Sequence, residues 1–135
     1  IYIEGTRKQN GKSVLLDFCG NEITEEFDYI SNCFEGMYIA GNGDTKSNAK
    51  YAFMTEKGEF VTGFEYDKHP EFFHAGLCIA ERYGRFLEDY DVINTKGEIL
   101  YKIRDGRKAF NLGNGCILVE VRNKNKREFT IKKLL

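Results

Sequence analysis

Residues 90–100 read YDVINTKGEIL, and variants of this stretch occur twice earlier in the chain. Residues 51–61 read YAFMTEKGEFV and residues 13–23 read SVLLDFCGNEI, so the copies begin 39 and 38 residues apart. Self-similarity at a period of about 20–50 residues is typical of repeat proteins. The stretch therefore predicts that the chain is a tandem array.

Each copy contains the same four-residue turn signal, which reads DFCG at 17–20, TEKG at 55–58 and NTKG at 94–97. The first residue has a side-chain oxygen that can accept a hydrogen bond from the backbone two residues further on. The glycine at the fourth position adopts a positive φ without steric cost. Each copy is therefore predicted to form a β-hairpin whose type I turn is closed by a glycine bulge.

A second signature lies between the hairpins, where glycine is followed by an apolar run: GMYIA at 36–40, GLCIA at 76–80 and GCILV at 115–119. Such runs predict buried strands. The segments that follow the first two apolar runs differ from each other. Residues 41–50 (GNGDTKSNAK) are predicted to form a polar loop, and residues 81–89 (ERYGRFLED) a loop or one helical turn. No amphipathic helix is apparent.

We therefore predict an all-β fold in which tandem β-hairpin repeats of about 39 residues stack into an open solenoid-like or propeller-like array. Three or four strands cannot bury their own apolar face, whereas stacked neighbours can. The approximate units, within a single repeat domain of residues 1–135, are 1–12 (partial), 13–50, 51–89, 90–128 and 129–135 (partial).

Composition limits the class of protein. With 41% apolar and 30% charged residues, the chain is expected to fold rather than stay disordered. No apolar run approaches the roughly 18 residues of a membrane helix, so no membrane span is predicted. Because the chain begins with Ile1 rather than Met, we expect a piece of a longer protein, and the compartment, cytoplasmic or exported, stays open.

Residues that carry chemistry are few. Four cysteines form no CxxC pair and there are only two histidines, so no metal site and no cofactor are predicted. His69 and His74 lie in one link near Asp67 and Glu71, but their spacing matches no metal motif. A pair of His74 with Cys78 is the one arrangement from which a nucleophile and base can be proposed.

The charge is concentrated at the C-terminal end, where residues 101–135 hold 10 Lys and Arg against 3 Asp and Glu. Val119 to Lys126 alternates apolar and charged residues, which predicts a strand with Arg122, Lys124 and Lys126 on one outer face. Such a face suits nucleic acid, anionic lipid or an acidic protein surface. Lysines on a last strand also prevent edge-to-edge pairing.

The turn segments at 53–59 and 92–98, with Tyr66-Asp67 and Gly76-Leu77, resemble the WG-repeat family. The Trp-Gly pair of that family is replaced by Tyr51-Ala52 and Tyr90-Asp91, and Phe129 stands at the same place in the last unit. The resemblance implies an all-β repeat fold with a binding or scaffolding role. Tyr51, Tyr90 and Phe129 would then form an aromatic column, either as packing or as an exposed stacking platform.

The function predicted is a non-enzymatic WG-repeat-like binding or scaffold module that mediates protein or cell-surface interactions. One alternative is a nucleic-acid- or anion-binding module that uses the basic C-terminal strands. A second is a thiol or histidine hydrolase centred on His74 and Cys78. The oligomeric state is left open. The candidate binding residues are Arg122, Lys124, Lys126, Tyr51 and Tyr90, and no catalytic residue is assigned.

Overall fold

A computed structural model describes residues 4–7, 10–43, 48–83, 88–104 and 107–135. Within these residues the backbone forms strands, turns and bends but no helix, which confirms the predicted all-β class. The strands are, in chain order, β1 (Glu4–Arg7), β2 (Ser13–Leu16), β3 (Tyr29–Ile30), β4 (Met37–Asn42), β5 (Lys50–Thr55), β6 (Leu77–Tyr83), β7 (Glu88–Asn94), β8 (Ile99–Ile103), β9 (Ala109–Gly113), β10 (Cys116–Asn123) and β11 (Lys126–Lys133).

The strands form small antiparallel sheets in two compact units, Ile1–His69 and Pro70–Leu135. The first unit contains the pair β1–β2 and the sheet β3–β4–β5, and the second contains β6–β7–β8 and β9–β10–β11. The division after His69 falls inside the predicted repeat 51–89. It does so because the segment that follows β5 pairs back onto it, with the Tyr51 N–H donating to the Tyr66 carbonyl at 2.8 Å.

The three predicted hairpin turns are confirmed, and their hydrogen bonds are the same. The first side-chain oxygen accepts from the backbone N–H groups two and four residues on, both at 2.9 Å for Asp17, 3.3 Å for Thr55 and 3.0 Å for Asn94. The closing glycines have φ of +85°, +80° and +80°. These bonds, above all the one from the Asn21 N–H, lower the pKa of Asp17.

The second signature begins with a tighter turn than the sequence predicted. Glu35-Gly36, Ala75-Gly76 and Asn114-Gly115 all have positive φ at both residues, which is typical of a two-residue type I′ hairpin. The Phe34 and Met37 peptide groups close the first of these turns with reciprocal bonds of 3.0 Å. The apolar runs that follow are β4, β6 and β10, so the predicted strands are confirmed.

An aromatic-rich cluster forms part of the core of the first unit. Phe27 is at its centre, with ring centroids 5.6 Å from Phe60 and 5.9 Å from Phe64. The Phe27–Phe60 pair is edge-to-face, and pairs of that kind contribute about 0.5–1.5 kcal/mol beyond the area they bury. The buried members of the cluster are Leu15, Phe27, Tyr38, Ala40 and Met54.

The second unit has an aliphatic core to which both of its sheets contribute. Alternate residues of β6 and β10 point into this core, which also receives residues of β7 and β8. The Asn111 side chain joins the sheets further by donating to the carbonyls of His74 (2.9 Å) and Leu77 (3.1 Å). The core residues are Leu77, Ile79, Val92, Ile103, Ile117 and Val119.

Asp91 is a charged residue inside this second unit. It is 0% exposed, and its carboxylate forms ion pairs with Arg82 and, at 3.0 Å, with the Arg104 Nη2 atom. Burying a carboxylate is costly unless it is paired and hydrogen-bonded. The two guanidinium groups therefore make this position in β7 tolerable for an aspartate.

We expect Asp91→Ala to lower the free energy of unfolding by about 3 kcal/mol, because it removes one partner of a buried ion pair. The measurement is urea unfolding followed by circular dichroism. Glu25→Ala, which removes an exposed carboxylate, should change stability by less than about 0.5 kcal/mol. Equal effects of the two substitutions would contradict the structural role given to Asp91.

The turn glycines should differ in their tolerance of a side chain. Gly20→Ala should cost about 1 kcal/mol, because φ is +85° and nothing lies within 4 Å of the added Cβ. Gly58→Ala should cost more, since its Cβ would lie 2.9 Å from the Thr24 Cγ2 atom. Gly63→Ala, without a positive φ, is the control and should be nearly neutral by urea unfolding. The turn geometry would be contradicted if the loss of stability did not decrease in the order Gly58→Ala, Gly20→Ala, Gly63→Ala.

Candidate functional site

The basic C-terminal segment is a hairpin rather than the single strand that the alternation predicted. β10 ends at Asn123, and the chain reverses at Lys124 and Asn125, whose φ values are +45° and +66°. The prediction that Arg122, Lys124 and Lys126 share one strand face is therefore wrong. Lys124 occupies the turn itself, and Lys126 begins β11, where it pairs with Asn123.

The hairpin nevertheless brings two of the predicted residues together. Arg122 and Lys126 line the same shallow depression, of about 280 Å³, to which Glu120, Asn125 and Arg127 also contribute. The depression thus has three cationic side chains and one carboxylate. Its chemistry suits an acidic group of a ligand better than a basic or apolar one.

Glu120 organises this depression from within the sheet. Its side chain is 1% exposed, and its Oε1 atom accepts a hydrogen bond from Arg122 Nε at 3.4 Å and forms an ion pair with Arg127 Nε at 3.1 Å. Its Oε2 atom accepts from the Lys108 backbone N–H at 3.1 Å. The hydrogen bond from Lys108, followed by the one from Arg122 and by the charges of both arginines, lowers the pKa of Glu120. The carboxylate therefore stays ionised and orients both guanidinium groups.

One face of the C-terminal sheet is apolar and exposed. Leu118 on β10 pairs with Phe110 on β9 and with Ile131 on β11, so these three side chains lie on the same face. Phe129 belongs to that face too, because it is two residues from Ile131. Phe110, Phe129 and Ile131 are 50%, 46% and 65% exposed, and Leu118 is half-buried. We call these four residues the C-terminal apolar face.

Tyr51 belongs to a small aromatic group in the first unit. Its ring lies edge-on to Tyr29 (6.5 Å) and His69 (5.4 Å), and the His69 Nε2 and Tyr29 Oη atoms are hydrogen-bonded at 3.0 Å. A Cβ on Gly41 would lie 2.9 Å from the Tyr51 ring, so the glycine makes room for it. Gly41, assigned to the loop 41–50 by sequence, is instead part of β4. Burial, with a smaller effect of Tyr51, raises the pKa of Tyr29.

Tyr90 lies against the core of the second unit and is half-buried. Its hydroxyl donates to Glu88 at 3.3 Å, and its carbonyl accepts from Arg104 at 2.9 Å. These contacts make Tyr90 a packing residue rather than an open platform. The predicted column of Tyr51, Tyr90 and Phe129 stays a prediction.

The environment of the Cys78 thiol does not favour the nucleophile–base pair with His74. Cys78 is 1% exposed and its thiol donates to the Glu71 carbonyl at 3.1 Å. Burial, with a smaller effect of the Glu71 charge, raises the pKa of this thiol, whereas a nucleophilic cysteine needs a lowered one. Among the described residues, no three His, Cys, Asp or Glu side chains cluster as metal ligands would.

The fold and the surface together define an all-β protein of small antiparallel sheets with one exposed apolar face beside a cationic hairpin. No protein-family model matches the chain, and comparison with curated proteins and with solved structures found no match. No helix with the length and apolar content needed to cross a bilayer occurs in the part of the chain that the structure describes.

Sequence reasoning missed the burial of Glu120 and the C-terminal apolar face. A glutamate between two valines gave no sign of burial, because Arg127, one of its two cationic partners, lies on β11, beyond the turn. The apolar face had a weak signal, since Phe129 and Ile131 alternate with polar residues along β11 as a one-sided strand does.

The lowered pKa of Glu120 predicts a loss of stability in acid. A carboxylate with a depressed folded pKa stabilises the fold above its unfolded pKa, and this contribution disappears as the pH falls through the folded pKa. We therefore expect the Glu120→Gln variant to have a lower unfolding midpoint than the unsubstituted chain at pH 7. The difference between the two midpoints should become smaller as the pH falls below about 4.5. Thermal unfolding across this pH range measures both effects.

The matched control is Glu128→Gln, which removes a carboxylate from β11 without removing the contacts to Arg122, Arg127 and Lys108. This variant should not reproduce the Glu120→Gln profile. A Glu120→Gln difference that stays constant from neutral to acid pH would show that the charge of Glu120 is not what matters.

Proposed function

We propose that this chain is a non-enzymatic, WG-repeat-like module that binds a protein or a cell-surface component. The observation that supports this most directly is the C-terminal apolar face, which leaves three large side chains about half exposed or more. Contiguous apolar surface with a polar rim is typical of protein-interaction sites. Arg122, Arg127 and Lys126 form such a rim at the hairpin end.

The repeat interpretation is part of the same proposal. The three turns with identical hydrogen bonds, and the apolar strands that begin after the three type I′ turns, support a common structural unit. In such proteins each unit buries its apolar face against a neighbour. We propose that the units stack as an open array and that the C-terminal apolar face is the surface that meets a partner.

The alternative, a nucleic-acid- or anion-binding module, is favoured by the exposed guanidinium groups of Arg122 (59%) and Arg127 (61%) beside an exposed Phe129. Phosphate contacts with aromatic stacking are the usual means of binding single strands. Glu120 weighs against it, because this carboxylate already pairs with both arginines and repels phosphate. A protein partner is therefore the preferred proposal.

The test is capture of partners by the immobilised chain from the source's lysate and surface fraction, at low salt and at about 0.5 M, where the Debye length is about 4 Å. We expect a protein that stays bound at high salt, because apolar contact is not screened. Combined Phe129→Ser and Ile131→Ser substitution should abolish its capture with little effect on stability, since both side chains are exposed.

Phe18→Ser is the matched control, because Phe18 is 72% exposed but lies in the turn after β2. It should leave capture unchanged. Undiminished capture by the Phe129 and Ile131 variant would contradict the proposed surface. Recovery of nucleic acid alone, at low salt and lost on changing Arg122, Lys124 and Lys126 to Ser, would establish the alternative instead.

A further inference from the structure

Three asparagines of this chain are followed by glycine, and the structure places them in different surroundings. The three pairs are Asn10-Gly11, Asn42-Gly43 and Asn114-Gly115. An asparagine side chain can react with the backbone nitrogen of the next residue, and glycine offers the least hindered nitrogen because it has no Cβ. The reaction is intramolecular, so its rate depends on how the fold holds the reacting atoms and their hydrogen-bond partners.

The side chain of Asn10 is held by two hydrogen bonds in the connection between β1 and β2. Its Oδ1 atom accepts from the Lys12 backbone N–H at 2.9 Å, and its Nδ2 atom donates to the Glu26 Oε2 atom at 3.0 Å. The bond from Lys12 closes a short loop of atoms that contains both the Asn10 Cγ atom and the Gly11 nitrogen. Gly11 has a φ of +83°, which glycine adopts without steric cost. The carbon and the nitrogen are therefore held in one turn.

These two bonds match the charges that develop when the Gly11 nitrogen attacks the Cγ atom of Asn10. Negative charge then accumulates on Oδ1, which already faces the Lys12 N–H, and backbone N–H groups stabilise such an oxyanion. The Nδ2 group takes up a proton and leaves as ammonia, so positive charge develops beside the Glu26 carboxylate. Asn10 and Glu26 are both exposed, so water has access to the reacting atoms.

The same dipeptide at Asn42-Gly43 has the opposite arrangement. The Gly43 N–H, which has to lose its proton in this reaction, donates to the Asp28 Oδ2 atom at 2.7 Å. A carboxylate in this position disfavours the loss of the proton, because an anionic nitrogen would then face an anionic oxygen. The hydrogen bond from Lys12, followed by the one from Gly43, lowers the pKa of Asp28 and keeps it ionised. The Gly43 nitrogen is therefore a poor nucleophile.

The third pair, Asn114-Gly115, is fixed by the backbone of the second unit. Gly115 is buried, and its carbonyl accepts from the N–H groups of Leu134 and Leu135 at 2.7 and 3.2 Å. Both residues of the pair have positive φ, as the type I′ turn between β9 and β10 requires. Ring closure restricts the backbone dihedral between the two residues, which this turn already fixes. Of the three pairs, Asn10-Gly11 combines assisting hydrogen bonds with access to water.

We propose that Asn10-Gly11 is a self-modifying site, at which the Asn10 side chain deamidates through a cyclic succinimide. The Gly11 nitrogen loses its proton to water and bonds to Cγ, while the bond between Cγ and Nδ2 breaks and ammonia leaves. Water then adds to either ring carbonyl and gives aspartate or isoaspartate, so water is the only other reactant. The new carboxylate faces Glu26, and like charges on neighbouring segments are destabilising. This one-way change is independent of the proposed binding function.

The test compares the three asparagines within one molecule. The whole chain is incubated in mildly alkaline buffer, and mass spectrometry of its peptides gives the deamidated fraction of each asparagine over time. We expect Asn10 to react at least about tenfold faster than Asn42 and Asn114, which corresponds to about 1.4 kcal/mol of activation free energy. The Asn10 product should include isoaspartate, which direct hydrolysis of the side chain does not yield. In concentrated urea the three rates should converge, because the folded contacts are lost.

Substitution of Glu26 tests its role beside the leaving group. Glu26→Gln removes the negative charge next to Nδ2 and should slow the reaction of Asn10 at least about threefold. Glu25→Gln is the matched control, because it removes the adjacent exposed carboxylate and keeps that of Glu26. This control should leave the rate at Asn10 unchanged. Equal rates in the two variants would contradict the role given to Glu26.

Substitution of Asp28 tests the protection of the second pair. Asp28→Ala removes the acceptor of the Gly43 N–H and should accelerate the reaction of Asn42 relative to that of Asn114. Circular dichroism verifies that the variant is folded, and the comparison of the three asparagines in the unsubstituted chain does not depend on it.

Equal rates at Asn10 and Asn42 in the folded chain, or an Asn10 that stays unmodified, would overturn the proposal. So would a ratio of rates that urea leaves unchanged, since the fold would then not control the reaction. Aspartate without isoaspartate at Asn10 would show direct hydrolysis and would also overturn the cyclic route.

Discussion

The side-chain oxygen at the first position of each hairpin turn is the constraint on which the rest of this structure depends. Asp17, Thr55 and Asn94 each hold two backbone N–H groups, so the turn closes at one length and the following strand begins in one register. Next to the last of the three turns, the β7–β8 ladder shifts by one residue between Val92 and Ile93. A slip of one residue would exchange the two faces of the strand and expose its apolar side chains.

In this register, the central strands bury apolar residues on both of their faces. Met37 to Ala40 of β4 and Leu77 to Ala80 of β6 are buried without interruption. β10 differs, because Ile117 and Val119 are buried in the core of the second unit while Leu118 between them is half-buried on the opposite face. The candidate surface lies at β10 because the described residues cover one face of this strand and leave the other face exposed.

Two buried carboxylates illustrate how charge is accommodated in these sheets. Asp91 forms ion pairs with Arg82 and Arg104 inside the second unit, and Glu120 pairs with Arg122 and Arg127 at the sheet surface. The cost of desolvating a carboxylate is offset only when its oxygens accept hydrogen bonds or form ion pairs. At Asp91 the result is internal packing. At Glu120 the same arrangement directs two exposed guanidinium groups toward a depression, which is why only the second is a candidate binding site.

Local chemistry made part of the fold predictable. The Asx-type and Thr turns and their closing glycines are determined within four or five residues, and the apolar runs after the second glycine are long enough to predict buried strands. The Lys124-Asn125 reversal was not predictable in this way, because polar residues that alternate with charged ones look the same in a strand and in a two-residue turn. Gly41 was misassigned because the ring that needs its space is on another strand.

By itself, the sequence determined the all-β class, the positions of the hairpin turns and the strands that follow them, since these depend on contacts between residues close in the chain. Only the tertiary structure decided that Glu120 is buried between arginines and that Phe129 and Ile131 share an exposed face with Leu118. Those properties depend on which strands lie beside each other, and a residue's neighbours across a sheet are not encoded in its neighbours along the chain.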